Sequence, residues 1–140
     1  MQNSIALPIP LLLAACAPFA SFPTPVTVTA QDVAPAANAI AAIIRLRVPP
    51  GQDILRLEGP SDETGQAIGK ELARVLQAQG YRIENNPRAT HRIGFAVAPL
   101  KAGALLTVTI DDGTAATLVA RDAAGAMVLA AGLSFREALP

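Results

Sequence analysis

The sequence predicts an α+β domain in which one main helix packs on a mostly antiparallel sheet of four to six strands. Two observations predict this fold class. Apolar residues recur with helical spacing in the first half of the chain, and they alternate with a period of two after residue 81. A short helix and a main helix thus precede a run of strands joined by turns, and this order is typical of α+β domains. We assign residues 1–15 to a signal peptide, 16–31 to a tether and 32–140 to a single domain.

The first elements of the domain are a short helix and a strand. Apolar residues on one face predict a helix over Asp32–Val48, which Asp32 can cap and Pro49 ends. The segment DILRLE (53–58) alternates between polar and apolar residues. This alternation predicts a first strand.

The main helix is predicted over residues 62–79. Ser61 is expected to cap it, and Gly80 is expected to end it in the left-handed conformation, with Tyr81 packing back onto the last turn. Its apolar side chains follow the i, i+4, i+7, i+8 pattern of a buried stripe. They are Ile68, Leu72, Val75 and Leu76.

Short strands separated by turns fill the rest of the chain. Two acidic segments that contain glycine, Asp111-Asp112-Gly113 and Asp122–Gly125, are typical of tight turns between strands. Alternating apolar residues predict the strands on either side of these turns. The predicted strands cover residues 81–83, 93–97, 105–110, 114–121 and 127–131.

The chain begins with an uncharged apolar segment that leads to its single cysteine. The run Ile5–Ala15 is shorter than the about 20 residues that a spanning helix needs, and it suits a secretory signal. The sequence Leu13-Ala14-Ala15-Cys16 resembles the lipobox of bacterial lipoproteins, where a peptidase cleaves before the cysteine and lipid is attached to it. We therefore predict that Cys16 is acylated, with a buried thiol as the alternative. Residues 1–15 contain no Lys or Arg, which a start codon further upstream would explain.

The tether predicted over residues 16–31 is more apolar than an ordinary linker. It contains three prolines and no charge, which favours an extended chain. Flexible linkers are usually rich in glycine, serine or charged residues. We expect this segment to bind a partner protein as an added strand. The candidate binding residues are Phe19, Phe22, Val26 and Val28.

The charge and cysteine content exclude some classes of partner and of fold. The chain has 11 basic and 11 acidic residues, all after residue 31, so its net charge is zero. Binding to nucleic acid depends on neutralising phosphates, so we expect no direct nucleic-acid partner. A single cysteine allows no internal disulfide, so the fold depends on its apolar core.

No constellation of residues in the sequence predicts an enzyme. His91 is the only histidine, and we expect it at a loop or strand edge, with Arg88 and Arg92 as cationic neighbours. A catalytic histidine would need a nucleophile and an orienting acid. Neither Ser61 nor Ser134 lies in a nucleophile motif. A hydrolase that combines His91 with one of these serines is the alternative.

Metal and cofactor sites are not predicted either. One histidine and an acylated cysteine cannot form a zinc site. Asp62-Glu63 is expected to begin a helix, and Asp111-Asp112 is expected to form a turn. The only loosely basic region contains Arg82, Arg88 and Arg92. We interpret it as a solvated loop face, with lipid headgroups or an acidic partner as the alternative ligands.

The order of these features resembles the TrbH family of conjugal transfer lipoproteins over about residues 11–137. After the lipobox come a helix that ends at Pro49-Pro50, the strand DILRLEG, a helix that closes in Gln79-Gly80-Tyr81, and strands up to the terminal segment 131–137. The resemblance implies a small structural lipoprotein of the mating-pair apparatus. This apparatus is a type IV secretion system that moves plasmid DNA between bacteria. Its core-complex proteins are the implied partners.

The residue after the cysteine bears on localisation. An Asp there would indicate retention at the inner membrane, whereas this chain has Ala17. We therefore expect a lipid-anchored protein on the periplasmic side of the outer membrane, with the inner membrane as the alternative. An alternative function from another class is an accessory envelope lipoprotein of a transport or outer-membrane assembly system.

Overall fold

The computed structural model describes residues 28–129 and 134–136, and it confirms the predicted α+β fold. Two helices lie against one face of a mixed sheet, α1 near its later strands and α2 near its first two. The elements are a 3₁₀ turn (Ala30–Asp32), α1 (Val33–Arg47), β1 (Ile54–Glu58), α2 (Glu63–Ala78), β2 (Arg82–Ile83), β3 (His91–Leu100), β4 (Gly103–Ile110), β5 (Gly113–Arg121), β6 (Met127–Leu129) and β7 (Ser134–Arg136).

The sheet is mostly antiparallel, as predicted, but its first strands are parallel. The strand order is β2-β1-β3-β4-β5-β6, and β7 also pairs with β5. β1 runs parallel to both β2 and β3, while the pairs formed by β4 and β5 are antiparallel. The helix α2 connects the parallel strands β1 and β2, because such strands need a long crossover rather than a tight turn. The strand β7 was not predicted from the sequence.

The first helix begins at Val33 with Asp32 at its N-cap position, as predicted, but the Asp32 side chain does not cap it. The Asp32 carboxylate makes no capping bond to α1. Instead, it accepts hydrogen bonds from the backbone N–H of Thr29 at 2.7 Å and from Nη2 of Arg121 at 2.6 Å. The carboxylate is therefore used to fix the turn before the helix to the end of β5.

The main helix confirms the predicted apolar stripe and C-terminal glycine, but its N-cap differs by one residue. Asp62, rather than Ser61, caps α2 by accepting a hydrogen bond from the backbone N–H of Gly65 at 2.7 Å. Gly80 has a positive φ of 99°, as expected for a left-handed helix end. Tyr81 is buried, and its hydroxyl donates to the carbonyl of Val48. This bond joins the C-terminal ends of the two helices.

The core lies between the helices and one face of the sheet. Alternate residues of β3, β4 and β5 point toward the helices, which is the pattern of a sheet with one covered face. Burying such side chains contributes about 25 cal/mol per Å² of apolar surface. The large apolar residues that are fully buried are Ile40, Ile44, Leu55, Ile68, Leu72, Leu76, Ile93, Leu106 and Val108.

Candidate interaction surface

The face of the sheet opposite the helices is uncovered within the described residues, and it differs between its two ends. Register places Leu105 of β4 between Ala98 of β3 and Leu118 of β5 on this face. The row beyond it contains Leu100 and Val128 at its two ends. We call Leu100, Leu105, Leu118 and Val128 the leucine patch.

The leucine patch gathers most of the exposed large apolar side chains in the described part of the chain. Leu100 is 41% exposed, Leu118 is 40% exposed and Val128 is 45% exposed. The remaining large exposed apolar residue among those described, Leu46, belongs to α1. Single apolar residues on a surface are ordinary, whereas a group of neighbouring ones is a candidate contact surface.

The rim of the leucine patch carries charges of both signs. Lys101 lies in the turn between β3 and β4, directly after Leu100, and is exposed. Asp122 follows β5 and is also exposed. An apolar centre with a polar rim is the arrangement found at interfaces between proteins.

The opposite end of the same face is polar. Glu58 of β1 lies 3.2 Å from Arg56 and 3.2 Å from Arg92, so one carboxylate is shared by two guanidinium groups. Arg82, from the loosely basic region, lies 3.3 Å from Glu84. Acidic side chains therefore pair with Arg82 and Arg92, which are two of the three arginines of the loosely basic region.

His91 lies between two carboxylates, which its sequence neighbours Arg88 and Arg92 did not indicate. Its Nδ1 is 2.7 Å from Asp111 Oδ2, and its Nε2 is 3.6 Å from Asp53 Oδ2. Burial alone would raise the pKa of Asp111, but hydrogen bonds from His91 and from the backbone N–H of Arg92 hold this pKa below its ordinary value. Strand pairing brings the two acids to His91, and the sequence carries no local signal of that pairing.

The described geometry does not bring His91 together with the serines of the hydrolase alternative. Ser134 lies on β7, three strands away from β3, which is about 14 Å at the usual strand spacing. His91 is opposite Leu55 near the start of β1, whereas Ser61 follows the end of that strand. Among the described residues, no group of three or more His, Cys, Asp or Glu side chains could hold a metal ion.

The predicted site residues of the tether lie mostly outside the described residues. Cys16, Phe19, Phe22 and Val26 are outside them. Val28 is the first described residue, and its half-buried side chain packs against the core of its own domain. In the described part of the chain, no helix is long and apolar enough to cross a membrane.

The leucine patch was missed from the sequence, although a signal for it exists. Leu105 and Leu118 are out of phase with the buried residues of their own strands, among them Leu106 and Val119. In a strand with one buried face, an out-of-phase leucine marks an apolar position on the other face.

No family model, curated protein or solved structure matches this chain.

Proposed function

We propose that this protein is a lipid-anchored structural component of a conjugative type IV secretion apparatus. The observation that carries the proposal is the sequence Leu13-Ala14-Ala15-Cys16 at the end of an uncharged apolar leader. The order of the following elements, which resembles that of the TrbH family, supports the assignment to conjugation. The open apolar patch on the sheet supports a binding role rather than a catalytic one.

The acylated Cys16 would hold the protein on the periplasmic side of the outer membrane. Each buried CH₂ group of an acyl chain contributes about 0.8 kcal/mol to membrane binding, and two signals are needed for lasting attachment. A lipoprotein with more than one acyl chain meets that requirement. Ala17 after the cysteine supports the outer membrane rather than the inner one.

The leucine patch is the surface that we assign to contact with a protein subunit of the apparatus. Its rim carries both Lys101 and Asp122, which suits a protein surface of mixed charge. Nucleic acid is disfavoured as the occupant, because the chain has equal numbers of basic and acidic residues. The patch lies on paired strands of the sheet, so the backbone positions of its residues are set before binding.

A charge placed in the leucine patch is expected to weaken this contact. Leu118→Lys buries an unpaired ammonium in the apolar centre of the interface, which should weaken binding by about tenfold or more. The measurement is co-purification with envelope proteins of the donor strain, together with the frequency of plasmid transfer.

Ala96→Lys is the matched control for this substitution. Ala96 is exposed on the same face of the sheet but lies outside the leucine patch. Both substitutions add one lysine charge to this face, so the two variants differ in the position of that charge. We expect both variants to unfold like the wild type and only Leu118→Lys to lose partner binding and transfer. Equal binding and transfer in the two variants would rule out the patch as the contact surface.

A further inference from the structure

The ends of both helices and two loops lie together at one end of the domain. The hydroxyl of Tyr81, which follows α2, donates to the carbonyl of Val48, which follows α1. The N–H of Thr90, just before β3, donates to the carbonyl of Ile54, the first residue of β1, at 2.8 Å. We call the two segments that these bonds join the basic end: residues 45–54 and 79–90.

The basic end carries more basic than acidic side chains. Its basic residues are Arg45, Arg47, Arg82 and Arg88, and its acidic residues are Asp53 and Glu84. Both acids lie near other groups. Oδ2 of Asp53 is 3.6 Å from Nε2 of His91, and Oε1 of Glu84 is 3.3 Å from Nη2 of Arg82. The excess of positive charge is local, because the net charge of the whole chain is zero.

An exposed leucine lies between two of these arginines. Leu46 is 71% exposed, more than any other large apolar side chain in the described part of the chain. Arg45 and Arg47 on either side of it are exposed, and so is the loop of residues 49–52. Basic side chains in the last turn of a helix complement the negative end of its dipole, which accounts for the arginines but not for the leucine. The basic end therefore presents an apolar side chain within a positively charged surface.

The surface of an anionic phospholipid bilayer matches both features of the basic end. Its phosphates complement the excess positive charge. A leucine can enter the apolar layer below the headgroups, while the long stem of a neighbouring arginine lets the guanidinium stay among the phosphates. An acidic protein surface would match the charge as well, but the exposed leucine and the proposed lipid anchor favour the bilayer.

We propose that the basic end binds an anionic phospholipid bilayer, with Leu46 in the apolar layer and Arg45 among the phosphates. This inference rests on the lipid anchor of the proposed function, which holds the domain at a membrane. The basic end lies where β3 begins, whereas Leu100 of the leucine patch lies where β3 ends, about 30 Å away. The domain then directs the leucine patch away from the bilayer and toward a protein partner.

The length of the chain before the domain permits this orientation. The 15 residues of α1 place its last turn about 22 Å from its first. The chain between Cys16 and Val28 spans at most about 43 Å, which exceeds the length of α1. A lipid on Cys16 and the basic end can therefore reach the same bilayer.

A single tryptophan tests the contact in the full acylated protein on lipid vesicles. The chain contains no tryptophan, so Leu46→Trp introduces the only one. We expect lipids with brominated acyl chains to quench its fluorescence at least about twofold more in vesicles with phosphatidylglycerol than in phosphatidylcholine alone. Leu118→Trp is the matched control, because Leu118 is also an exposed leucine but lies outside the basic end. We expect no quenching of this variant in either kind of vesicle.

Removal of one charge tests the role of the phosphates. Arg45→Gln, combined with Leu46→Trp, should reduce the difference in quenching between the two kinds of vesicle by at least about half. Lys70→Gln, in the same background, is the control. It removes one positive charge from an exposed position of α2 outside the basic end, and it should leave the difference unchanged.

Equal quenching of the two tryptophan variants, or equal quenching in the two kinds of vesicle, would overturn the binding to anionic lipid. Absence of quenching in Leu46→Trp would also overturn it and leave an acidic protein surface as the occupant. Mass spectrometry of Cys16 tests the anchor separately. An acylated Cys16 without quenching contradicts the bilayer contact alone, whereas an unacylated Cys16 with quenching that requires phosphatidylglycerol contradicts the anchor alone.

Discussion

Replacing Asp32 with asparagine is expected to lower the free energy of unfolding at neutral pH by about 2 kcal/mol. The Asp32 side chain is only 2% exposed. Its two oxygens accept hydrogen bonds from Nη1 and Nη2 of Arg121 at 2.8 and 2.6 Å. Asparagine keeps the shape of the side chain but removes the negative charge that pairs with the guanidinium, and loss of the charge from a largely buried ion pair is costly.

The stability that Asp32 provides should depend on pH in one direction. The hydrogen bonds from Arg121 are the main cause that lowers the pKa of Asp32 from 3.8 to about 2, against the opposing effect of burial. Because the folded pKa lies below the unfolded one, the contribution is complete above about pH 5 and is lost as the pH falls toward 2. Urea unfolding of the wild type and Asp32→Asn between pH 2 and 7 measures this difference.

Glu71→Gln is the control for Asp32→Asn. Glu71 pairs with Arg74, one turn further along the surface of α2. Such exposed ion pairs contribute little to the free energy of unfolding. We expect no comparable loss of stability in this variant. If Asp32→Asn were as stable as the wild type at pH 7, the ion pair with Arg121 would not be the link between the turn before α1 and the end of β5 that the structure indicates.

Gly103→Ala is expected to destabilise the domain by about 3 kcal/mol. A Cβ atom on Gly103 would overlap the carbonyl oxygen of Val119 and lie 2.8 Å from the Cα of Ala120. Both atoms belong to the backbone of β5, so a rotamer change cannot relieve the clash and the two strands must separate. Thermal or urea unfolding measures the loss.

Gly51→Ala provides the matched control for Gly103→Ala. A Cβ atom on Gly51 would meet nothing within 4 Å, so the same chemical change meets no obstacle there. We expect its unfolding free energy to stay within about 0.5 kcal/mol of the wild type. Similar stability in the two variants would contradict the close approach of β4 and β5 at Gly103.

Elements with a strong local pattern were predictable from the sequence. The apolar stripe of α2 and the glycine at its end depend on residues close together in the chain, as does the Asp111-Asp112-Gly113 turn. The parallel pairing of β1 with β3 was not predictable, because these strands are joined through α2 and β2 and alternation alone does not set strand order. The strand β7 has only three residues, too few to show a period.

The ionic contacts were not predictable either, because they also join residues that are far apart in the sequence. Asp32 and Arg121 are 89 positions apart, and His91 and Asp111 are 20 positions apart. Only the folded sheet brings the members of each pair together. The leucine patch differs, because the out-of-phase Leu105 and Leu118 could have revealed it once the buried phase of each strand was known.

The frequency of plasmid transfer in a deletion strain tests the proposed function most directly. The strain is complemented with the wild-type gene or with Cys16→Ala, and immunoblots confirm equal amounts of protein. We expect the deletion to abolish transfer, the wild type to restore it, and Cys16→Ala to fail although its domain is folded. Full restoration by Cys16→Ala would contradict the need for a lipid anchor. Normal transfer in the deletion strain would contradict the conjugation role and favour an accessory role in envelope transport or assembly.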